Sequence, residues 1–469
     1  MFSKRSAKQR FLLRLMPVFL LALAVRVLCA IPALKAPDRL QRPDSETYLL
    51  PAYALAEDGA INTKPQQNPG VIDCVVDQRP AVQRPPGYIV FLAGLRLLFG
   101  RSPVAFALAG CLIGALTVFP VGFAGLHLAG RRAGFWAAVL YALNLTSLAA
   151  APLILSDTLL GFLVAFQALF LVKAMRTRCL CDFIFGTVFA AAAVLVKPVN
   201  IPVLFLLFVM ALFVMKTRRK AVCAMLLVPL ISAVIIVPWM LRNHAVGAGF
   251  VVDRNSGLTA LHNTAAILAH ANHSDANEVR VWLEYQAEHE FMTTSQWRHV
   301  GIQEREEWYL NRYREAILAH PWSAAATHLF QVWILLPDLP DFLQNLGLRT
   351  GERGTLAVLR KDGTLAAFRH YMDGSYAAAI LAVPFVLIHA ALWLLTAAGV
   401  WMFARKRRWT ILIVCLLPTL YYLVAPGPVV LPRYQIPALP YACALAGAVI
   451  SVCGIHRWRK HLSCRRCNP

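Results

Sequence analysis

Acidic residues are scarce in this sequence, with 24 Asp and Glu against 46 Lys and Arg, and the formal net charge is +22 over 469 residues. Charged residues of both signs make up only 15% of the chain, whereas 58% is hydrophobic and the mean hydropathy is +0.57. This composition fits a polytopic membrane protein better than a set of soluble domains. The Lys and Arg lie in short segments between apolar runs, which indicates inner-leaflet topology signals and not a nucleic-acid partner.

Several catalytic motifs are also missing. The sequence has no P-loop, no GxGxxG and no GxSxG, so neither nucleotide hydrolysis nor a serine hydrolase is indicated. Most of the eleven cysteines lie inside apolar runs, where cysteine packs as a small hydrophobe, so a disulfide scaffold is not expected. No cofactor is implied with certainty, although a divalent cation held by carboxylates stays open.

Histidines in the polar part of the chain invite a metal site. None of them forms HExxH or a compact Cys/His set, and histidines of this kind usually face solvent, so the metal requirement stays unknown. The residues concerned are His262, His270, His273, His289, His299 and His320.

Apolar runs of about 20 residues, long enough to cross roughly 30 Å of hydrocarbon as helices, recur along the chain. Basic residues precede the first run at Phe11, so the positive-inside rule predicts a cytoplasmic N-terminus. We expect an all-α protein with about ten (10–13) transmembrane helices and outer juxtamembrane helices. The predicted domains are a transmembrane module over 1–241 with a catalytic first outer loop (35–102), an outer domain over 242–375, and C-terminal transmembrane helices with a basic cytoplasmic tail over 376–469.

This topology separates the basic segments from a second set of ionisable residues. The basic segments fall on the cytoplasmic face, and seven ionisable residues that terminate or follow apolar helices fall on the outer face. The seven are Asp44, Glu46, Arg84, Asp157, Lys197, Arg242 and Arg433.

Local patterns give these residues chemical roles but leave alternatives open. Asp44 and Glu46 could act as general bases or hold a cation, yet Asp-Ser-Glu before a helix is also a preferred capping sequence. The rigid turn that begins Arg84-Pro85-Pro86 before a helix suits a phosphate, but such turns are common beside membranes. Asp157 and Lys197 stand at helix ends, where they could equally cap or reach the interface.

The order of these pieces resembles the glycosyltransferase C superfamily, in particular the protein O-mannosyltransferase and lipid A aminoarabinose transferase group. The resemblance rests on motifs taken in order along most of the chain. They are Asp44-x-Glu46 before a tyrosine-bearing helix, Arg84-Pro-Pro-Gly-Tyr88, Leu155-Ser-Asp-Thr-Leu159, Lys197-Pro198, Pro238-Trp239 with Arg242-Asn243, and Pro432-Arg-Tyr434. Two departures, Ile89 after the Gly-Tyr and a serine between the first two acids, leave the acceptor class open.

The resemblance implies an enzyme of the glycosyltransferase C fold with a large outer loop domain. It would transfer a hexosyl or pentosyl unit from a polyprenyl-phosphate-linked donor to a lipid, glycan or protein acceptor, with inversion, on the outer (periplasmic) side of the cytoplasmic inner membrane. Its partners would be these substrates and membrane lipids, not nucleic acid. The implied catalytic residues are Asp44, Glu46 and Asp157, the implied donor-phosphate ligands are Arg84, Lys197 and Arg433, and the further substrate-binding residues are Tyr48, Tyr88, Arg242, Asn243, His262 and Tyr434.

A transporter or flippase of lipid-linked sugars is the alternative function. Its ionisable residues should line the middle of the bilayer between discontinuous helices. The sequence instead places its acids and bases at helix ends on one side, which favours the enzyme.

Overall fold

The computed structural model describes residues 7–62, 81–293, 302–329, 331–348, 355–372 and 376–464. These ranges fold as α-helices and short 3-10 helices and contain no β-strand, so the predicted all-α class is confirmed. Part of the first outer loop (63–80) and His299 lie outside the described residues.

Twenty α-helices are described. The first eleven are α1 (Ala7–Leu34), α2 (Glu46–Asp58), α3 (Pro86–Phe99), α4 (Pro103–Leu116), α5 (Val118–Ala129), α6 (Arg131–Ala142), α7 (Leu145–Ala150), α8 (Asp157–Thr177), α9 (Leu180–Val194), α10 (Ile201–Val214) and α11 (Arg218–Ala245). The others are α12 (Ser256–Asn272), α13 (Ala276–Thr293), α14 (Ile302–Ala319), α15 (Pro321–Leu329), α16 (Leu339–Asn345), α17 (Thr355–Met372), α18 (Tyr376–Arg405), α19 (Trp409–Val424) and α20 (Leu439–Cys464).

Six described segments are long and apolar enough to cross a membrane, which makes this a multi-pass membrane protein. They are Gln9–Leu34, Pro103–Ala129, Asp157–Thr177, Arg218–Ala245, Ile380–Arg405 and Pro432–Val452. Four shorter apolar helices accompany them, Pro86–Phe99, Leu180–Val194, Pro198–Val214 and Trp409–Val424. The count of about ten crossings stays a prediction.

The apolar run over 134–152 is long enough to predict one membrane-spanning helix, but the structure divides it into the end of α6 and α7. The chain leaves the helix after α6, and the Asn144 side chain caps α7 by accepting from the Ser147 N–H at 3.0 Å. Arg26 of α1 is fully buried at this break and donates to the Ala142 carbonyl at 3.1 Å and to Ser147 Oγ at 2.7 Å. A break in a helix inside an apolar bundle leaves backbone polar groups without partners, and these hydrogen bonds satisfy them.

The Glu/Arg-rich composition of 278–319 predicts helix, and the described parts of this stretch are helical as α13 and α14, with 294–301 outside the described residues. The apolar segment over 321–336 predicts one amphipathic or re-entrant helix, but the helix in the structure is shorter. It consists of α15 followed by a separate 3-10 turn over Val332–Leu335.

Two apolar cores hold the helices together. One joins α2 and α3 to α8, α9, α10, α11 and α19, and the other joins α1, α5, α6, α18 and α20. The first half of α20 is buried on all sides and consists mainly of small residues, so neighbouring backbones approach it closely. At Gly447, for example, a Cβ atom would lie 2.3 Å from the Ala133 carbonyl oxygen.

The basic segments meet at one end of the helices. Arg178, just after α8, donates to the Phe213 and Val214 carbonyls at the end of α10, at 2.9 and 2.6 Å. Arg176, Arg178, Arg407 and Arg408 line a common cavity of about 720 Å³. Because α8 begins at Asp157 and ends beside these arginines, Asp157 and the four arginines lie at opposite ends of the same helix.

Candidate active site

Asp44 lies in a tight turn that connects a 3-10 helix (Pro37–Leu40) to α2. The turn is fixed by Ser45, which is fully buried: its hydroxyl accepts from the Arg42 N–H and donates to the Ile154 carbonyl, both at 2.9 Å. Ile154 belongs to the segment that leads into α8. The turn that carries Asp44 is therefore hydrogen-bonded directly to the segment that leads to Asp157.

Arg84, at the start of the Pro-Pro turn, contacts Asp44 and the first turns of α2. Its Nη2 donates to Asp44 Oδ1 and its Nε to Thr47 Oγ1, both at 2.9 Å, while its guanidinium lies 5.0 Å from the centre of the Tyr48 ring. Tyr48 in turn shares a hydrogen bond of 3.1 Å with Ser156. Asp44 keeps 44% of its side chain exposed, so it remains accessible to a ligand despite this pairing.

Asp157 and Lys197 form a second, more buried pair. Lys197 Nζ donates to Asp157 Oδ1 at 2.8 Å, and only 5% of the Asp157 side chain is exposed. The Lys197 ammonium also lies 4.5 Å from the centre of the Tyr434 ring. A buried charge pair of this kind needs good geometry to offset its desolvation, and these contacts supply it.

Arg433 lies between three carboxylates at distances longer than a direct hydrogen bond. Its guanidinium nitrogens approach Asp44 Oδ2 at 3.9 Å, Asp157 Oδ2 at 3.5 Å and Asp341 Oδ2 at 3.7 Å. Its Nε is buried and has no hydrogen-bond partner among the described residues. Because each of the three acids has a closer cation of its own, Arg433 is the least committed cation of the group.

Two members of this group, Arg42 and Asp341, were not predicted from the sequence. Asp341 of α16 accepts from Arg42 at 2.7 and 2.9 Å, and it reaches Arg433 from the other side. Nearby, burial and then the Asp341 carboxylate raise the pKa of Asp338 well above its usual range. A Pro-Asp pair within a polar segment gives little signal, since acids there are common.

We call this group the ion-pair cluster; its members are Arg42, Asp44, Arg84, Asp157, Lys197, Asp341 and Arg433. With four basic and three acidic side chains, the cluster carries one formal net positive charge. An anion placed beside Arg433 would therefore be attracted and partly dehydrated, conditions in which charge-assisted hydrogen bonds are strong.

Five of the seven members of the cluster, all but Arg42 and Asp341, line one side of a cavity of about 470 Å³, a size usual for small-molecule sites. Eight of the predicted site residues line it: Asp44, Tyr48, Arg84, Asp157, Lys197, His262, Arg433 and Tyr434. Apolar side chains line another part, among them Leu160, Val199, Leu258, Leu310, Pro426 and Val429. The cavity thus combines charged side chains with a hydrophobic surface at the ends of several apolar helices.

The other four predicted site residues do not line this cavity. Glu46 is exposed at the first position of α2, and Tyr88 is buried edge-on against Tyr48. Arg242 donates to the backbone carbonyls of Ala81 and Ile61, and Asn243 to those of Val251 and Val252. These contacts hold loops in place around the cavity.

The residues present do not fit a divalent cation. Among the described residues, no three His, Cys, Asp or Glu side chains converge as a metal site would require. Asp44 and Asp157 are each bonded to an arginine or a lysine, which a bound cation would have to displace. The histidines named above spread over α12 to α15, and of those described only His262 lines the cavity.

Comparison with known proteins rests on structure alone, because no family model and no curated protein matches the sequence. The apo form of the Archaeoglobus fulgidus oligosaccharyltransferase superposes with a TM-score of 0.50 at 15% identity, covering 98% of this chain and 52% of that one. ArnT from Cupriavidus metallidurans, solved bound to undecaprenyl phosphate, gives a TM-score of 0.46 at 14% identity, covering 95% and 61%. The chain spans about half to three-fifths of the length of these proteins.

Similarity at this level of identity establishes the fold. The chain shares its fold with this archaeal oligosaccharyltransferase, a bundle of apolar helices, and it carries a cavity at their ends.

Proposed function

We propose that this protein is an integral membrane glycosyltransferase. It moves a sugar from a polyprenyl-phosphate-linked donor to an acceptor, with inversion at the anomeric carbon, on the outer face of the cytoplasmic membrane. The observation that carries the proposal is the ion-pair cluster: residues far apart in sequence meet in one cavity, with one net positive charge and an underused arginine at its centre.

The donor phosphate would lie beside Arg433, Arg84 and Lys197. When the glycosidic bond to the phosphate breaks, the electron pair moves onto a phosphate oxygen, and the transition state is stabilised by positive charge already in place. The carboxylates keep these cations oriented, so little reorganisation is needed during the reaction. No nucleotide-binding fold is required for this chemistry.

Asp44 has the accessibility expected of a catalytic carboxylate. With 44% of its side chain exposed it can face the sugar, where a negative charge stabilises the positive charge that develops on the ring. Asp157, at 5%, is better suited to holding Lys197 and Arg433. The two acids predicted from sequence as equals therefore receive different roles.

The lipid portion of the donor would leave the cavity along its apolar lining. Val199, Pro426 and Val429 are part of that lining and lie at the ends of α9, α19 and the adjoining 3-10 turns. Because the same chain would otherwise lie in the hydrocarbon of the bilayer, this lining would orient the lipid through van der Waals packing and would not contribute a full hydrophobic transfer energy.

The archaeal oligosaccharyltransferase that shares the fold is itself a transferase, which supports the enzyme over a transporter. The cluster also lies where helices begin and end, at Asp157 of α8 and Lys197 after α9, and not along the middle of the spans. A flippase would need its charged residues on the path across the bilayer.

The test is sugar transfer by membranes that contain the wild-type protein or Asp44→Asn, using labelled polyprenyl-phosphate sugars as donors. Transfer by the wild type and its loss in the variant are expected. Mass analysis of glycans and lipid A from cells with and without the gene then identifies the acceptor. Unchanged transfer in Asp44→Asn would remove the catalytic assignment.

A further inference from the structure

A second wall of the cavity comes from α12 and the loop that precedes it. It is formed by Asp253, Asn255, Ser256, Thr259, His262 and Asn263, which we call the polar wall. No lysine or arginine of this segment lines the cavity. The polar wall therefore differs in kind from the ion-pair cluster, since it offers hydroxyl, amide and imidazole groups and one carboxyl.

The loop that carries Asp253 is fastened on both sides of that residue. Trp239 Nε1 donates to the Val252 carbonyl at 2.7 Å, and Asn243 Nδ2 donates to the Val251 carbonyl at 2.9 Å. On the other side, the Arg254 N–H donates to the Val82 carbonyl at 2.9 Å. Positions held this tightly keep a side chain in a fixed orientation, which a catalytic group requires.

The Arg254 side chain adds a further anchor. It pairs with Glu306 of α14 at 2.7 Å, and both side chains are nearly buried, at 10% and 6% exposed. The Glu306 carboxylate also accepts from the Gly257 N–H at 3.3 Å, at the start of α12. The loop is thus fixed to the outer helices as well as to α11.

The Asp253 carboxylate forms no ion pair with a described residue. The acids of the ion-pair cluster each have a cation within 2.9 Å, whereas no ion pair involves Asp253 among the described residues. Burial raises the pKa of Asp253 to about 7; Arg84 and the Asn255 N–H act to lower it and Glu306 acts to raise it. A carboxylate with this proton affinity suits a general base at neutral pH.

Asn255 supplies an independent indication of a ligand. Its side-chain oxygen is buried and accepts no hydrogen bond from the described residues. Buried acceptors are normally satisfied, and an unsatisfied one costs free energy. A hydroxyl group bound at the polar wall would donate the missing bond.

We infer that the polar wall binds the acceptor, that the acceptor presents a hydroxyl group, and that Asp253 accepts its proton. The inference rests on the proposed glycosyltransferase function. The hydroxyl oxygen forms a bond to the anomeric carbon from the side opposite the donor phosphate, the carbon–oxygen bond to that phosphate breaks, and its electron pair stays on the phosphate. The hydroxyl proton passes to the Asp253 carboxylate, so atoms and charge balance.

A phosphate acceptor fits this wall poorly. It would need cations, and the residues that line the cavity from this segment supply none. The cluster's single net positive charge is matched by the donor phosphate alone. A second phosphate would bring further negative charge next to Asp253.

The experiment compares purified wild type with Asp253→Asn, using undecaprenyl phosphate as a binding probe and labelled polyprenyl-phosphate sugars as donors, with membranes from cells lacking the gene as acceptor. We expect Asp253→Asn to bind the probe as the wild type does and to lose about a hundredfold or more in transfer rate. The wild-type rate should rise with pH through about 7, and this dependence should be absent in the variant.

Two control variants sharpen the result. Asp275→Asn makes the same change at an exposed N-terminal cap of α13, outside the cavity, and should transfer normally. His262→Gln removes the histidine of the polar wall and should keep the pH dependence. If the dependence disappears in His262→Gln and persists in Asp253→Asn, the proton acceptor has been wrongly assigned.

The acceptor class is tested by the chemistry of the product. A product that survives mild acid is an ordinary glycoside and supports a hydroxyl acceptor, whereas release of the sugar by mild acid identifies a glycosyl phosphate and overturns the inference. Wild-type protein that neither binds undecaprenyl phosphate nor transfers sugar would remove the proposed function, and this inference with it. Normal wild-type activity with a fully active Asp253→Asn removes only the inference.

Discussion

Replacing Arg433 by glutamine removes the cation at the centre of the ion-pair cluster while retaining a polar side chain of similar length. The three carboxylates around it keep their own partners, since Asp44 pairs with Arg84, Asp157 with Lys197 and Asp341 with Arg42, at 2.7 to 2.9 Å. The distances from Arg433 to the same acids are 3.5 to 3.9 Å. Folding should therefore lose little, whereas the cluster changes from one net positive charge to none.

The expected cost is in anion binding. A hydrogen bond to a charged group contributes about 1.5–3 kcal/mol, and the loss of one such contact to a phosphate, about 2 kcal/mol, corresponds to roughly thirtyfold weaker binding. Arg433→Lys keeps the charge but loses the planar fork that can hold two oxygens, so it should recover only part of the affinity.

Titration of purified protein in lipid nanodiscs with undecaprenyl phosphate measures the effect, and thermal unfolding measures stability in parallel. Arg101→Gln serves as the matched control, because Arg101 is 57% exposed, pairs with Glu57 and does not line the cavity. Two results would contradict this account of the cluster: affinity in Arg433→Gln equal to that of the control, or a large loss of stability with affinity unchanged.

Two further predictions concern the parts that support the site. Gly87→Ala should lower thermal stability and probe affinity together, because its Cβ would lie 2.7 Å from the Leu195 carbonyl oxygen beside Lys197, whereas Gly94→Ala in the same helix meets open space and should be neutral. Arg26→Met should lower the free energy of unfolding, measured with denaturant, by about 1–3 kcal/mol, because it leaves the Ala142 carbonyl without that donor. Arg14→Met, on the exposed face of α1, should change it little, and equal effects of the two variants would contradict the role of the buried arginine.

The sequence located one side of the cavity well for a physical reason. In a chain that is 58% hydrophobic, a charge at the end of an apolar helix is expensive, so it is seldom there without a partner. Asp157, Lys197 and Arg433 stood out for this reason, and they do lie together. Their roles in donor binding stay predictions, but the position of each charge at the end of an apolar helix was enough to predict that they lie together.

Other features were hidden because their signal depends on what surrounds them. Arg26 sits within an apolar run, and no pattern in its own helix indicates that α6 ends beside it. Arg242 and Asn243 donate to backbone carbonyls around 61, 81 and 251–252, a use that the sequence did not indicate, and their role in substrate binding stays a prediction. Spacing alone does not separate these uses.

Asp157 stood out because it ends an apolar helix, whereas Asp253 and Asp341 were not predicted because their surroundings in the sequence are polar. Both lie in the polar segment between the two sets of apolar helices, where acids are common and an additional one carries no cost that would mark it. Only the fold distinguishes them: Asp341 is bonded to Arg42 and faces Arg433, whereas Asp253 faces the cavity without a cation among the described residues.

The two walls of the cavity come from different parts of the chain, so substitutions could change the acceptor and the donor separately. Most of the ion-pair cluster belongs to the apolar helices and their ends, while the polar wall belongs to α12 and its anchored loop. Under the proposed function, the donor phosphate is a constant feature held by the first set, and the acceptor is recognised by the second. Substitutions at Asn255 or Thr259 should therefore alter which acceptor is used while affinity for undecaprenyl phosphate stays the same, and substitutions at Lys197 should do the reverse. Acceptor profiles and probe titrations on the same variants separate the two effects, and a Thr259 variant that loses probe affinity as much as a Lys197 variant would show that the two walls do not act independently.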